Sequence, residues 1–438
     1  MIETSKYNNA LTANLVKLYE EYKAQIWNLS SDALNNFRAD ALVKFSKLGV
    51  PSFKNEDYKY TRIDKVISPD LSIAGIADCC SAEPSFPSLE AHQMVFCNGV
   101  YGTREVKEDL PEGVVLTSLK QAAKQYPELL KKYYNTLTSA SADAMVAFNT
   151  MLAFDGLFVY IPEGVQLEMP IQISISACGK LAQVASQRNL VVLEKGAKAT
   201  ILFEEHNRHN SSSMLNVVTE YVVNDEAELN VNIIQDFLSN FLAIDSQFYR
   251  LAENAQAHQT LVSLNAGVTR NNLKVDLQGE NAEMTMNGMS ILNNKQHVDN
   301  FTSITHAVPN CLSNQLYKNV LDGESSGAFS GRIKVVRDAQ KTNAFQRNNN
   351  VLLSKEAKMN TKPQLIIDAD DVKCSHGATV GQIDEEVLFY MQARGIGARQ
   401  ARMMLMKAFC HEVIQEIRNE FIRDIITELA EVKLNKAN

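Results

Sequence analysis

The hydrophobic pattern changes its period twice along this chain. Leu11, Leu15, Leu18 and Tyr22 recur at helical spacing, as do Leu34, Phe37, Ala41, Phe45 and Leu48, because residues three and four apart share one helix face. Asp32 stands where it can cap the second of these helices, and Gly49 with Pro51 ends it. Further helices are predicted over 118–134 and 140–152, whereas 68–118 mixes Pro, Ser and short apolar runs and reads as short strands or loops. From Gly156 the alternation shortens to two. LFVYIPEGV, IQISISAC, NLVVLEKGAKATILFEEH and LNVVTEYVVNDEAELNVNII predict strands bounded by turns. From Asp384 the helical period returns. Asp384, Glu385 and Glu386 suit the unpaired N–H groups of a helix start, and Gly395 and Gly397 separate two helices. Leu405, Phe409, Val413, Ile417, Phe421, Ile425 and Leu429 then recur every four residues with no Gly or Pro among them. That stripe drifts about 40° per step, so more than one neighbour must cover it, in part another protein.

The turns of the middle region resemble one another. EKGAKAT, NDEAELN, AENAQAH and GENAEMT place a small polar or acidic pair before Ala197, Ala227, Ala255 and Ala282, and RDAQKTN and SKEAKMN repeat the form around Ala339 and Ala357. The first intervals are 30, 28 and 27 residues and the last is 18. Self-similarity of this kind predicts a coil of stacked strands, with alanine at corners that leave no room for bulk. Asn230, Asn232, Asn265, Asn287, Asn348, Asn349 and Asn350 are expected to form ladders on its flanks. Periodicity alone does not separate a parallel β-helix from a long antiparallel meander. Three units are expected: 1–155 mainly helical, 156–381 the strand core, and 382–438 helical.

Composition narrows the function classes. The 438 residues are 45% hydrophobic and 21% charged, ordinary for a globular chain. A net charge of −8 argues against a nucleic-acid groove. No 18-residue apolar run exists, and the polar start lacks a signal-peptide core, so a cytoplasmic protein is expected. The seven cysteines form no CxxC pair and are expected to be mostly buried free thiols, Cys79 and Cys80 included. No phosphate loop is present, so this chain is not expected to hydrolyse ATP.

Chemistry concentrates at 368–397, where strands give way to helices. Cys374 and His376, soft and borderline metal donors, are two residues apart and share a face if the stretch is extended. His206 and His209 with Glu204 and Glu205 read as solvated edge residues, and His258, His297 and His306 as isolated. Asp370 and Asp371 read as a corner. The tyrosine-rich stretch PSFKNEDYKYTRIDK at 51–65 reads as a surface turn.

The sequence KCSHGATVG followed by DEEVLFYMQARGIG, together with the run 330–379, resembles the SufB/SufD family of iron–sulfur cluster assembly proteins. The Cys-Ser-His-Gly form and the length resemble its SufD side. The resemblance implies a mainly β fold with flanking α, in which a central β-helix lies between helical domains. It also implies a non-catalytic scaffold that pairs with a SufB-like subunit. His376, with Cys374 beside it, would share a nascent iron–sulfur cluster with that partner. The SufC ATPase would dock on the C-terminal helices around Arg394, Gly395, Ile396, Leu405 and Phe409, so removing 384–438 is expected to abolish docking and leave the core folded. The family also carries a Lys-x-Glu-x-x-Lys-Tyr-Thr stretch like that from Lys54 to Thr61. Flavin binding by the complex is not fixed by the resemblance. Two other readings are a homodimeric interaction protein and a carbohydrate-active β-helix enzyme. One tryptophan, no secretion signal and no paired acids among the strands oppose the latter.

Overall fold

The computed structural model describes residues 10–74, 84–106, 110–179, 181–209 and 211–436. Cys79 and Cys80 lie outside them. Among the described residues two ten-stranded sheets run through the molecule, and from Leu157–Ile161 onward successive strands alternate between them. From Ile171–Ala177 onward every strand pairs in parallel with the strand two places along the chain. The middle region is therefore a coil, one strand from each sheet per turn: a parallel β-helix. Strands before residue 156 join it as well, His92–Cys97 in parallel with Ile171–Ala177 and Val115–Ser118 antiparallel to Leu157–Ile161.

Alternate residues of each strand turn inward and build a core that includes Ile201, Phe203, Leu229, Val231, Tyr221, Tyr249 and Phe329. The outward residues are buried too, which is why strands such as Met214–Val223 show no burial alternation. Tyr19, Phe45 and Phe148 of the N-terminal helices cover Val184, Met214 and Ile244 of one sheet. Met406, Val413, Ile422 and Ile426 of the C-terminal helices cover Leu202, Ile234, Met289 and Leu316 of the other.

The corners explain the repeat. Each strand of the second sheet begins by donating to the residue that ends the previous corner. Glu228 N bonds Ala197 O at 2.9 Å, Gln256 N bonds Ala227 O at 2.8 Å and Glu283 N bonds Ala255 O at 2.9 Å. Leu312 bonds Ala282 in the same way, Asn343 bonds Cys311, and Lys373 bonds Thr342. The small-residue column thus continues through Cys311 and Thr342, not through Ala339. Residues before it take positive φ, among them Gly196 at 65° and Asn254 at 55°. Ala357 belongs to the opposite column with Gly267, Gln296 and Ser325. The 18-residue interval therefore spans two corners and is not a short repeat.

Several expected details differ. The predicted helix at 118–134 is two, Leu119–Gln125 and Pro127–Tyr133, because Pro127 pushes Tyr126 out of helical geometry. Asp143 accepts from Met145 N and starts a shorter helix, Ala144–Leu152. Asp32 is not a cap: it opens a four-residue helix, Asp32–Asn35, with Ser31 in the capping place and Arg38–Leu48 following. The C-terminal run breaks between Ala398–Ile414 and Glu420–Lys436, where Asn419 Oδ1 accepts from Ile422 N at 3.1 Å. Amides stack inside the coil as well as at its exposed corners, where Asn281 donates to Asn254 at 3.0 Å. Asn271 donates to Asn300 at 2.9 Å and Asn319 to Asn350 at 2.7 Å, so polar groups stacked at the strand spacing satisfy one another. Cys178 is disulfide-bonded, unlike the expected free thiol.

Candidate functional site

The coil ends on strand Lys373–Gly381, which pairs on one side with Asn343–Leu352 and, among the described residues, with no strand on the other. Cys374 lies opposite Ala344 and His376 opposite Gln346. Ala344 is fully buried in a cluster with Ile333, Val335 and Ala369, and Cys374 packs half-buried at its margin. The face that Cys374 and His376 share is thus the inner wall of the coil. It is accessible only because no further turn covers it. Burial pushes the Cys374 thiol above its ordinary pKa, partly offset by a backbone hydrogen bond from Ala344. His376 is exposed.

Beneath His376 the support is polar. Gln346 donates to Gln315 Oε1 at 3.2 Å, and Thr302 donates to the same oxygen at 2.8 Å. A Cβ at Gly331 would overlap the Gln346 amide, so only glycine there lets Gln346 cross the interior. Phe345, Ile366, Ile367 and Val380 stand exposed on these last turns. Among the described residues no three or more His, Cys, Asp or Glu side chains form a metal-holding group. Cys374 and His376 are two donors, and a complete tetrahedral set needs others from elsewhere.

The helical end divides into a covered part and an open part. Asp384 Oδ1 accepts from Glu386 N and Val387 N at 2.9 and 3.2 Å and starts helix Glu385–Ala393. Phe389, 73% exposed, and Tyr390 project from it. Arg394 donates to Tyr390 Oη at 2.8 Å, and Gly395 turns the chain at φ 86° with Ile396 half-buried beside it. Leu405 is half-buried. Phe409 is less available than expected: it packs against the coil, and Lys318 Nζ lies 4.4 Å from its ring centroid and donates to its carbonyl. The four-residue stripe is likewise covered chiefly by the coil, since Val413 and Ile417 are buried against the second sheet, while Phe421 is exposed.

Other expectations fail because the outer faces of the coil are covered, or because the side chain points into its interior. Glu204 is not a solvated edge residue. It is buried, bonded to Gln172 and to Ser85 N at 2.8 Å, and burial raises its pKa. Glu205 points inward at 3% exposure and Asp245 at 2%. Burial raises both, and the charge of Asp245 raises Glu205 further. Paired acids therefore do exist among the strands, forty residues apart in sequence and on different sheets, but sealed from any substrate. His297 is not isolated either. Its Nε2 lies 2.9 Å from Thr61 Oγ1 and its Nδ1 2.7 Å from Ser326 Oγ, while Thr61 also bonds Asp299. Arg270 pairs with Asp299 beneath the ring of Tyr58, and Lys362 and Arg332 reach Glu56 and Asp57. The stretch from Lys54 to Thr61 is thus a strap bonded to the coil, not a free surface turn.

The geometry defines a class: a β-helix protein, helical at both ends, whose soft donors stand on an open strand edge. Residues 9–173 match the SufBD protein N-terminal region, and 175–409 match the SufBD core domain of SUF system FeS cluster assembly. An iron-sulfur cluster assembly SufBD family protein of Synechocystis sp. is 30% identical over 414 residues, 90% of each chain. The iron-sulfur cluster assembly protein SufD of Escherichia coli is 29% identical over 389 residues, 87% of this chain and 89% of that one. This chain belongs to the SufBD family. No helix among the described residues is long and apolar enough to cross a membrane.

Proposed function

We propose that this chain is a non-catalytic, SufD-like scaffold for iron–sulfur cluster assembly in the cytoplasm, pairing with a SufB-like subunit through the open end of its coil. The observation that carries this reading is the edge of Lys373–Gly381, unpaired among the described residues, which bears Cys374, His376 and exposed Val380 on one face, with Phe345 exposed on the other face of the adjoining strand. An unpaired strand with apolar neighbours is a template for another chain. The nascent cluster, as cargo, would take the His376 imidazole from this side and thiolate donors from the partner, with Cys374 adjacent.

SufC docking is assigned to the exposed face around Phe389, Tyr390, Arg394, Gly395, Ile396 and Leu405, with Phe409 as a supporting contact. The test is affinity purification of the tagged full-length chain from native cells. Co-recovery of a SufB-like subunit and SufC is expected. Recovery of the chain alone as a homodimer would favour a free-standing interaction protein.

A further inference from the structure

A cavity of about 670 Å³ lies where the coil meets the C-terminal helices, within the size range of small-molecule sites at such junctions. Lys355 enters it from the corner after Asn343–Leu352, and Arg399 and Arg402 from the start of Ala398–Ile414. None of the three has an ion-pair partner among the described residues, and Arg399 reaches only the Asn435 carbonyl at 3.4 Å. No acid stands in the first turn of that helix to balance the guanidinium charge. Asp322 and Glu385 also line the cavity, as do the apolar side chains of Leu353, Ile383 and Met406.

We propose that this cavity binds a phosphorylated small molecule of the mononucleotide type. Arginine presents a planar fork of donors that fits phosphate oxygens, and two of them with a lysine suit a doubly charged group. The carboxylates would accept from sugar hydroxyls, and the aliphatic side chains would take the flat face of a base. The site is proposed to bind this ligand, and the chain carries no phosphate loop of the nucleotide-hydrolysing kind. It goes beyond the scaffold reading and needs no partner subunit.

Calorimetric titration of the full-length chain with adenosine monophosphate at low ionic strength tests it. Saturable one-to-one binding is expected, weakened at least about tenfold by Arg399→Ala and again by Arg402→Ala. Both side chains are exposed, so the melting temperature should not move. Adenosine without its phosphate should not bind. Absence of saturable binding at millimolar nucleotide, equal binding of adenosine, or unchanged binding by the double variant would each overturn the proposal.

Discussion

Glu205 and Asp245 approach each other inside the coil from opposite sheets, where neither reaches water. Desolvation disfavours their charged forms, and Asp245 is pushed up to about 7. Between the ordinary carboxylate range and about pH 7 the folded chain therefore holds protons that the unfolded chain has released, and stability falls as pH rises through that window. Asp245→Asn should remove much of this fall. Denaturant melts from pH 4 to pH 8 should show the variant gaining on the wild type as pH increases; a constant difference would contradict the assignment. Another buried acid is matched to a cation. Arg188 pairs with Glu220 at 2.8 Å, both fully buried, and Glu220 also accepts from Asn135 N and Leu137 N. Glu220→Ala strands that guanidinium and should cost about 3–5 kcal/mol in equilibrium unfolding. A cost below about 1 kcal/mol would mean that Thr150, Asn135 and the Tyr134 ring suffice for Arg188.

The C-terminal helices cover the second sheet, a role that the sequence pattern does not separate from the proposed docking. Their four-residue stripe is real, but it wraps Leu202, Ile234, Met289 and Leu316 of the second sheet. Removing 384–438 would bare this face, so the truncated chain should aggregate rather than persist as the folded core expected above. Docking is better tested by Phe389→Asp with Tyr390→Ala, since both side chains are exposed. Loss of about 2 kcal/mol of SufC affinity is expected, with unfolding stability changed by about 0.5 kcal/mol or less. Unaltered SufC binding in a pull-down or calorimetric titration would move the docking surface elsewhere.

At the scale of the molecule, legibility followed distance along the chain. That Cys374 and His376 share a face was readable because strand parity couples residues two apart. The coil was readable from corners 27 to 30 residues apart, although the family resemblance, not the period, favoured parallel pairing. The inward acid pair, the Thr61–His297–Ser326 bonds and the covering of the second sheet join residues far apart in sequence. No local pattern marks them. Outward strand positions looked solvated because alternation shows which residues share a face, not whether a helix lies over it.

In the proposed assembly the open last turn of the coil holds a cluster between this chain and a partner. The deciding measurement is the iron and sulfide content of the complex co-expressed with a SufB-like subunit and SufC, comparing wild type with His376→Ala. His376 is exposed, so the substitution should change unfolding stability by about 0.5 kcal/mol or less. The expected result is an intact complex with its cluster lost. Wild-type cluster loading in the variant would contradict it, as would lost loading accompanied by a collapsed melting temperature.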